Sequence, residues 1–202
     1  MTISKTILQR IETFAEGEIF TTSKFFDFGT RNAIDQILFR LEKRDVITRV
    51  ARGIYMRPKT NRFVSKVLPS SFEVAQKLAE MTGSIVQVNG AEAARQFGLT
   101  TQVPTQPIFW TNGQSRRFHM GKLTVILRHV APRKLACAGS IAGLALTALW
   151  YLGKEYVRAE TFALIKNQMT TEEYQQFKSS MSNMPIWLVN AIQQYETEHA
   201  KA

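Results

Sequence analysis

Apolar side chains recur at helical spacing from the start of the chain. Ile3, Ile7, Leu8, Ile11 and Phe14 fall on one side of a helix over residues 2–15, with Thr2 placed to cap it. After "AEGEIF", the run "TTSKFFDFG" reads as a short second helix, capped by Thr21 or Thr22 and stopped at Gly29, where a positive φ would make a tight turn. Thr30 opens a third helix whose Ile34, Ile37, Leu38 and Leu41 sit at i, i+3, i+4 and i+7. The opposite face carries Asn32, Gln36 and Lys43, flanked by Asp35 and Arg40. Phe39 falls near that polar face, and packing on a second domain would account for it. The helix ends near Arg44, and Asp45 occupies the position where Gly or Asn usually turns left-handed. The period then drops to two. "VITRV" and "GIYMR" read as a ribbon turning through Gly53 and closed by Pro58.

Residues 61–71, polar, basic and ending in "LPSS", read as a linker. Beyond it, "FEVAQKLAEMTG" is a helix, "SIVQVN" a strand and "GAEAARQFG" a helix ending at Gly98. "PIFWTNG" and "KLTVILRHV" are two strands separated by the loop "QSRRFHMG". From Gly139 the pattern is helical: an apolar helix to Leu152, a segment near 157–167, a helix opened by the capping box Thr170-x-x-Glu173, and a last helix from Met184 with Ile186, Val189, Ile192 and Tyr195 on one side. Nineteen uncharged residues lie between Lys134 and Lys154. That is close to the length of a membrane span, but the segment is rich in Ala and Gly, carries Ser140 and Thr147, and reads as a buried helix.

Charge changes the picture for the first third of the chain. The net charge is +10, and residues 40–66 hold nine basic side chains against Glu42 and Asp45, so +7 of the excess lies there. A basic concentration of this kind favours a polyanionic partner. The one cysteine, Cys137, lies in the apolar segment and reads as a small buried hydrophobe; it excludes an intramolecular disulfide framework. No signal-peptide-like core is present at the start, so a cytoplasmic location is expected.

Catalytic chemistry finds little support. His119, His129 and His199 have no metal-binding spacing, and there is no glycine-rich phosphate loop or nucleophile elbow. The polar residues Asn89, Glu92, Thr111, Arg116, Arg117 and Arg133 assemble no recognised reaction. No enzyme activity, cofactor, metal or catalytic residue is therefore expected. The N-terminal third is more coherent. Three helices followed by a two-stranded ribbon is the order of a winged helix-turn-helix, whose last helix enters the major groove. Asn32 and Gln36 are types that pair with adenine, Arg40 and Lys43 types that read guanine or hold phosphate. The helix N-terminus at Thr30 and Arg31 would offer backbone N–H groups to a phosphate. Arg49, Arg52 and Arg57 on the ribbon would lie along the DNA backbone. For Arg49 or Arg57 a partner carboxylate within the protein is the alternative.

The run "FGTRNAIDQILFRLEKRDVITRVARGIYMRP", followed by "VNGAEAARQFGLTTQVPTQPIFWTNGQSRRFHMGKLTVILRHVAPRKL", resembles the AbiE-type (AbiEi-like) abortive-infection antitoxins of bacteria, the antitoxin halves of type IV toxin–antitoxin operons. The likeness covers about residues 5–150 and rests on the basic wing "RVARGIY" and the segment "GAEAARQFGLTTQVP". It implies a winged domain that binds operator repeats and represses the operon, and a second domain associated with neutralising a nucleotidyltransferase-like toxin. Carried onto this chain, the DNA-binding role falls on residues 31–43 and on Arg49, Arg52, Gly53 and Tyr55; Arg116, Arg117, Arg133 and Lys134 are candidates for contacting a partner or nucleic acid. The family favours glycine where this chain has Asp45, which tolerates the same geometry.

The expected architecture is α+β: a winged helix-turn-helix over 1–60, the linker at 61–71, and a small α/β domain over 72–202 with a helical C-terminal tail. The expected function is that of a DNA-binding antitoxin and transcriptional autorepressor acting on its own promoter, with no membrane association. The alternative is a non-catalytic protein-interaction module, or a stand-alone regulator with only non-specific DNA affinity. Oligomeric state does not follow from the sequence.

Overall fold

The computed structural model describes residues 2–59 and 67–199. The chain forms two compact units, Met1–Met81 with Arg117–Val125, and Thr82–Arg116 with Ile126–Ala202. Residues 61–66 of the expected linker lie outside the described residues, and Ser71 already begins a helix.

In the first unit, α1 (Ile3–Glu12) buries Ile7 and Ile11; Thr2 occupies its N-cap without a side-chain hydrogen bond. A strand that the sequence pattern did not announce follows, β1 (Ile19–Thr21), and leads into a 3₁₀-helix over Thr22–Phe28. Gly29 has a φ of 166°, so the chain leaves this helix in an extended conformation and not in the left-handed turn expected. Its small size has another use, because a Cβ there would stand 3.3 Å from Ile3 Cδ1. Next come α2 (Arg31–Lys43), β2 (Thr48–Ala51) and β3 (Ile54–Met56). Asp45, after α2, does turn left-handed, with φ 57°.

The three strands pair antiparallel in the order β1-β3-β2. β3 is therefore central, and its Ile54, Tyr55 and Met56 are all buried. The period of two divides them between two clusters. Tyr55 joins Phe20, Ile7, Ile11, Phe25, Ile34 and Leu38 against the helices. Ile54 and Met56 point the other way, to Val50, to Val74 and Leu78 of α3 (Ser71–Glu80), and to Phe118 and Met120. That second cluster is why α3 and residues 117–125 group with the first unit, whereas the sequence boundary put everything from 72 onward in the second. α3 opens with a capping box in which Ser70 accepts from the Glu73 N–H and Glu73 from the Ser70 N–H.

The second unit contains β4 (Val86–Val88), α4 (Gly90–Gln96) and β5 (Ile108–Thr111). β6 (Arg116–Met120) and β7 (Leu123–His129) then complete a sheet in the order β4-β5-β7-β6, with β4 antiparallel and β7 parallel to β5. The expected loop "QSRRFHMG" is thus mostly strand. Phe118 and Met120 are half-buried while Arg117 and His119 are exposed, the alternation of a pleated edge, and Gly121 turns the chain with φ 58°.

The uncharged segment after Lys134 is broken by turns at Cys137 (φ 56°) and Gly139, so α5 runs only Ile141–Leu152, capped by Ser140. Cys137 is half-buried in that turn and is not the fully buried hydrophobe expected. α5 and α4 pack at close range through small residues: Ala93, Ala94, Ala142 and Ala145 are buried, and a Cβ on Gly90 would overlap Tyr151. The tail comprises α6 (Ala159–Lys166), α7 (Thr171–Ser179) with its Thr170–Glu173 capping box, and α8 (Ile186–His199). In α8 the inward positions are Leu188, Ile192 and Tyr195; Ile186, expected inside, is 79% exposed. Tyr174 donates to Glu196 at 3.2 Å, Lys178 pairs with the same carboxylate at 3.1 Å, and burial, reinforced by Glu196, pushes the Tyr174 phenol up. Among the described residues no helix is long and apolar enough to cross a membrane.

Candidate nucleic-acid interface

The α2 face is set by what its other face buries. Ile34, Ile37, Leu38 and Leu41 enter the core, which leaves Arg31, Asn32, Asp35, Gln36, Phe39, Arg40, Lys43 and Arg44 outside it. Asn32, Gln36, Arg40 and Lys43 are thus carried on one outward surface, as the helical spacing requires. Thr30 holds the N-cap without a side-chain bond to the helix. Arg31 and Asp35 form an ion pair at 3.7 Å, with both side chains largely exposed, an arrangement worth little in water and easily exchanged for another anion. Phe39 is not packed away as expected: it is 53% exposed, with the Lys43 ammonium 5.5 Å from its ring centre.

The ribbon of β2 and β3 turns at Arg52 and Gly53. Gly53 has φ 74° with open space where a Cβ would lie, so glycine is needed here for backbone geometry alone. A register shift between Arg49 and Ala51 lets Val50 and Ala51 both be buried while Arg49 and Arg52 remain exposed.

Arg57 and Tyr55 have different roles from those the sequence suggested. The Arg57 guanidinium donates to the carbonyl of Glu12, at 2.8 Å, and to that of Phe14, so it closes the C-terminal end of α1. Its backbone is also fixed, the N–H donating to Glu18 and the carbonyl accepting from Gly17. The partners of its Nη1 group are backbone carbonyls, not the carboxylate considered as the alternative. Tyr55 is buried and stacks on Phe20 at 6.1 Å, which makes it a core residue. Burial pushes its phenol up, and the charge of Arg49, its cross-strand neighbour, opposes the shift.

The other basic candidates are distributed differently. Arg117 is exposed on β6 and belongs to the first unit, Arg116 to the second. Arg133 and Lys134, in a 3₁₀ turn over Pro132–Leu135, lie against tryptophans: Arg133 is 5.4 Å from the Trp150 ring centre, and Lys134 is 4.8 Å from Trp150 and 5.5 Å from Trp110. Cation–π contacts of this kind hold the cations in place while leaving their charge available.

The polar residues singled out in the second domain have local duties. Asn89 caps α4 by accepting from the Glu92 N–H, and Thr111 is buried and accepts from the Gly113 N–H. Glu92 takes both arms of Arg95 at 2.8 and 2.7 Å, and that hydrogen bonding holds its carboxyl below the usual range. His129 contacts the Gly113 carbonyl and His119 contacts Thr124. Among the described residues no group of three or more His, Cys, Asp or Glu side chains is arranged to hold a metal ion.

Sequence reasoning misplaces Phe39. Its wheel position opposite the core stripe is the available signal, and it marks an outward side chain, not one packed beneath a neighbour. No curated protein matches the chain. Residues 6–177 match the sequence model of DUF6088, a family of unknown function, and the chain belongs to that family.

Proposed function

We propose that the protein is a double-stranded-DNA-binding antitoxin that represses its own operon, with the first unit acting as a winged helix-turn-helix. The observation that carries this reading is the pairing of two exposed cationic elements on one hydrophobic core. The polar face of α2 and the Arg49–Arg52 turn project from the same sheet-and-helix scaffold. The order α1, β1, 3₁₀-helix, α2, β2, β3 with sheet order β1-β3-β2 supports the same assignment.

In this reading α2 lies in the major groove. Asn32 and Gln36 pair with adenine edges, Arg40 and Lys43 reach guanine or phosphate, and Arg49 and Arg52 hold the backbone beside the helix. Arg57 is assigned a structural part in it, because its Nη1 group donates to the Glu12 and Phe14 carbonyls at the end of α1. Neutralising a toxin of nucleotidyltransferase type is the role that the resemblance to AbiE-type antitoxins adds for the second unit, with Arg116, Arg117, Arg133 and Lys134 as candidate contacts.

Binding to the chain's own promoter region is expected to fall steeply with salt. The Arg49→Ala/Arg52→Ala double variant is expected to flatten the log–log slope by about 2, near one unit for each phosphate that no longer meets an arginine. Unchanged affinity and slope would refute the assignment of the wing. Binding indifferent to DNA sequence would favour the reading of a non-specific adhesion surface on a protein-interaction module.

A further inference from the structure

We propose that Phe39 is the side chain with which α2 reads a thymine methyl group. The proposal rests on the DNA-binding reading above and goes beyond it by naming an apolar specificity contact. Phe39 points almost directly away from the core: at about 100° per residue it lies roughly 150° from the centre of the Ile34, Ile37, Leu38, Leu41 stripe. Asn32 is about 20° away on the same face and Lys43 about 40°. A helix in a groove presents such a position most deeply, and a 53% exposed phenylalanine there contributes little to folding.

Its surroundings specify the occupant. Lys43, one turn on, stands 5.5 Å from the ring centre, and Arg31 and Arg40 on α2 with Arg44 at its C-cap are further exposed cations, against Asp35, which pairs with Arg31. An apolar protein partner gains nothing from that cationic excess, whereas a polyanion does. Within the major groove of duplex DNA the one apolar group on a base edge is the C5-methyl of thymine, and phenylalanine is among the side chains that contact it. Asn32 and Phe39 are about 10 Å apart along the helix, close to three base-pair steps, so both can read the same groove.

The test compares the full chain on its own promoter duplex with the same duplex in which deoxyuridine replaces thymidine, which deletes only the methyl groups. Fluorescence anisotropy at fixed salt is expected to show the wild type losing affinity about fourfold for each methyl contacted, the value of one buried methyl. Phe39→Ala is expected to bind both duplexes equally with the wild-type salt slope, since it removes no charge. Phe39→Leu is expected to keep part of the preference and controls for folding. Salt-dependent binding that ignores the uracil substitution, or a Phe39→Ala chain that keeps the thymine preference, overturns this inference and leaves the DNA reading standing. Absence of salt-dependent binding to either duplex overturns both.

Discussion

Replacing Arg57 with alanine separates two uses of arginine on the same ribbon. Its guanidinium donates to two carbonyls at the end of α1, those of Glu12 and Phe14. The Glu12 carbonyl lies at an exposed site and water can replace the missing donor, at small cost. The Phe14 carbonyl is partly buried beside a fully apolar cluster, so removing a charged donor there costs about 1.5–3 kcal/mol. Urea unfolding is expected to show that drop. Arg57→Lys is expected to recover only part of it, because an ammonium lacks the planar fork of a guanidinium. The salt slope of DNA binding is expected to stay at the wild-type value in Arg57→Ala. Arg52→Ala is expected to do the reverse: unfolding unchanged within about 0.5 kcal/mol and a salt slope lower by about one. An Arg57→Ala chain of wild-type stability with a reduced slope would refute the reasoning and return Arg57 to the phosphate-binding set.

Two further outcomes test the packing and the electrostatics. Gly90→Ala places a Cβ into Tyr151, at the close approach of α4 and α5, and is expected to cost about 1–3 kcal/mol in denaturant unfolding with DNA affinity per folded molecule unchanged. The Glu73, Glu92 and Glu172 carboxyls all sit below their ordinary value of 4.5, held there by the Ser70 backbone N–H, by Arg95 and by the first-turn backbone of α7 respectively. Their stabilisation is present above about pH 4.5 and is lost as pH falls through the lower folded values, because the unfolded chain binds more protons in that window. Urea midpoints measured from pH 7 down to 3 check the direction, and Glu92→Gln is expected to flatten the fall.

The helical stripes were readable because one face decides each of them. Ile34, Ile37, Leu38 and Leu41 keep the 3.6 period, and Asp45 turns left-handed where the helix pattern stops. What escaped the sequence depends on partners distant along the chain. β1 is only Ile19–Thr21 and exists because it pairs with β3, more than thirty residues later. β6 was hidden by its arginines, although Phe118 and Met120 alternate correctly for a strand. The linker boundary misplaced α3 because the apolar side of Val74 and Leu78 does not say which sheet it covers. In the candidate interface, composition located the arginines but could not distinguish Arg57 from Arg52. Backbone carbonyls at Glu12 and Phe14 carry no signature in the sequence.

The difference between those two arginines bears on how the interface keeps its shape. β3 is buried on both faces, with Tyr55 anchored among Phe20 and the helices, and Ile54 and Met56 against α3, Phe118 and Met120. The β2–β3 ribbon is therefore not a free hairpin, since β3 is the central strand of the sheet. α2 is anchored in the same cluster as Tyr55 through Ile34 and Leu38. The spacing between the α2 face and the Arg52 turn is thus set by apolar packing, which neither salt nor pH weakens much in the range where the charges act. Arg57 adds to this by tying the end of β3 to the end of α1. A cationic surface held in register by an apolar core avoids most of the backbone ordering cost on meeting a rigid polyanion, and leaves mainly the entropy of its long side chains to be given up. In the proposed reading, Arg57 belongs to the scaffold that positions Arg49 and Arg52 for the DNA backbone.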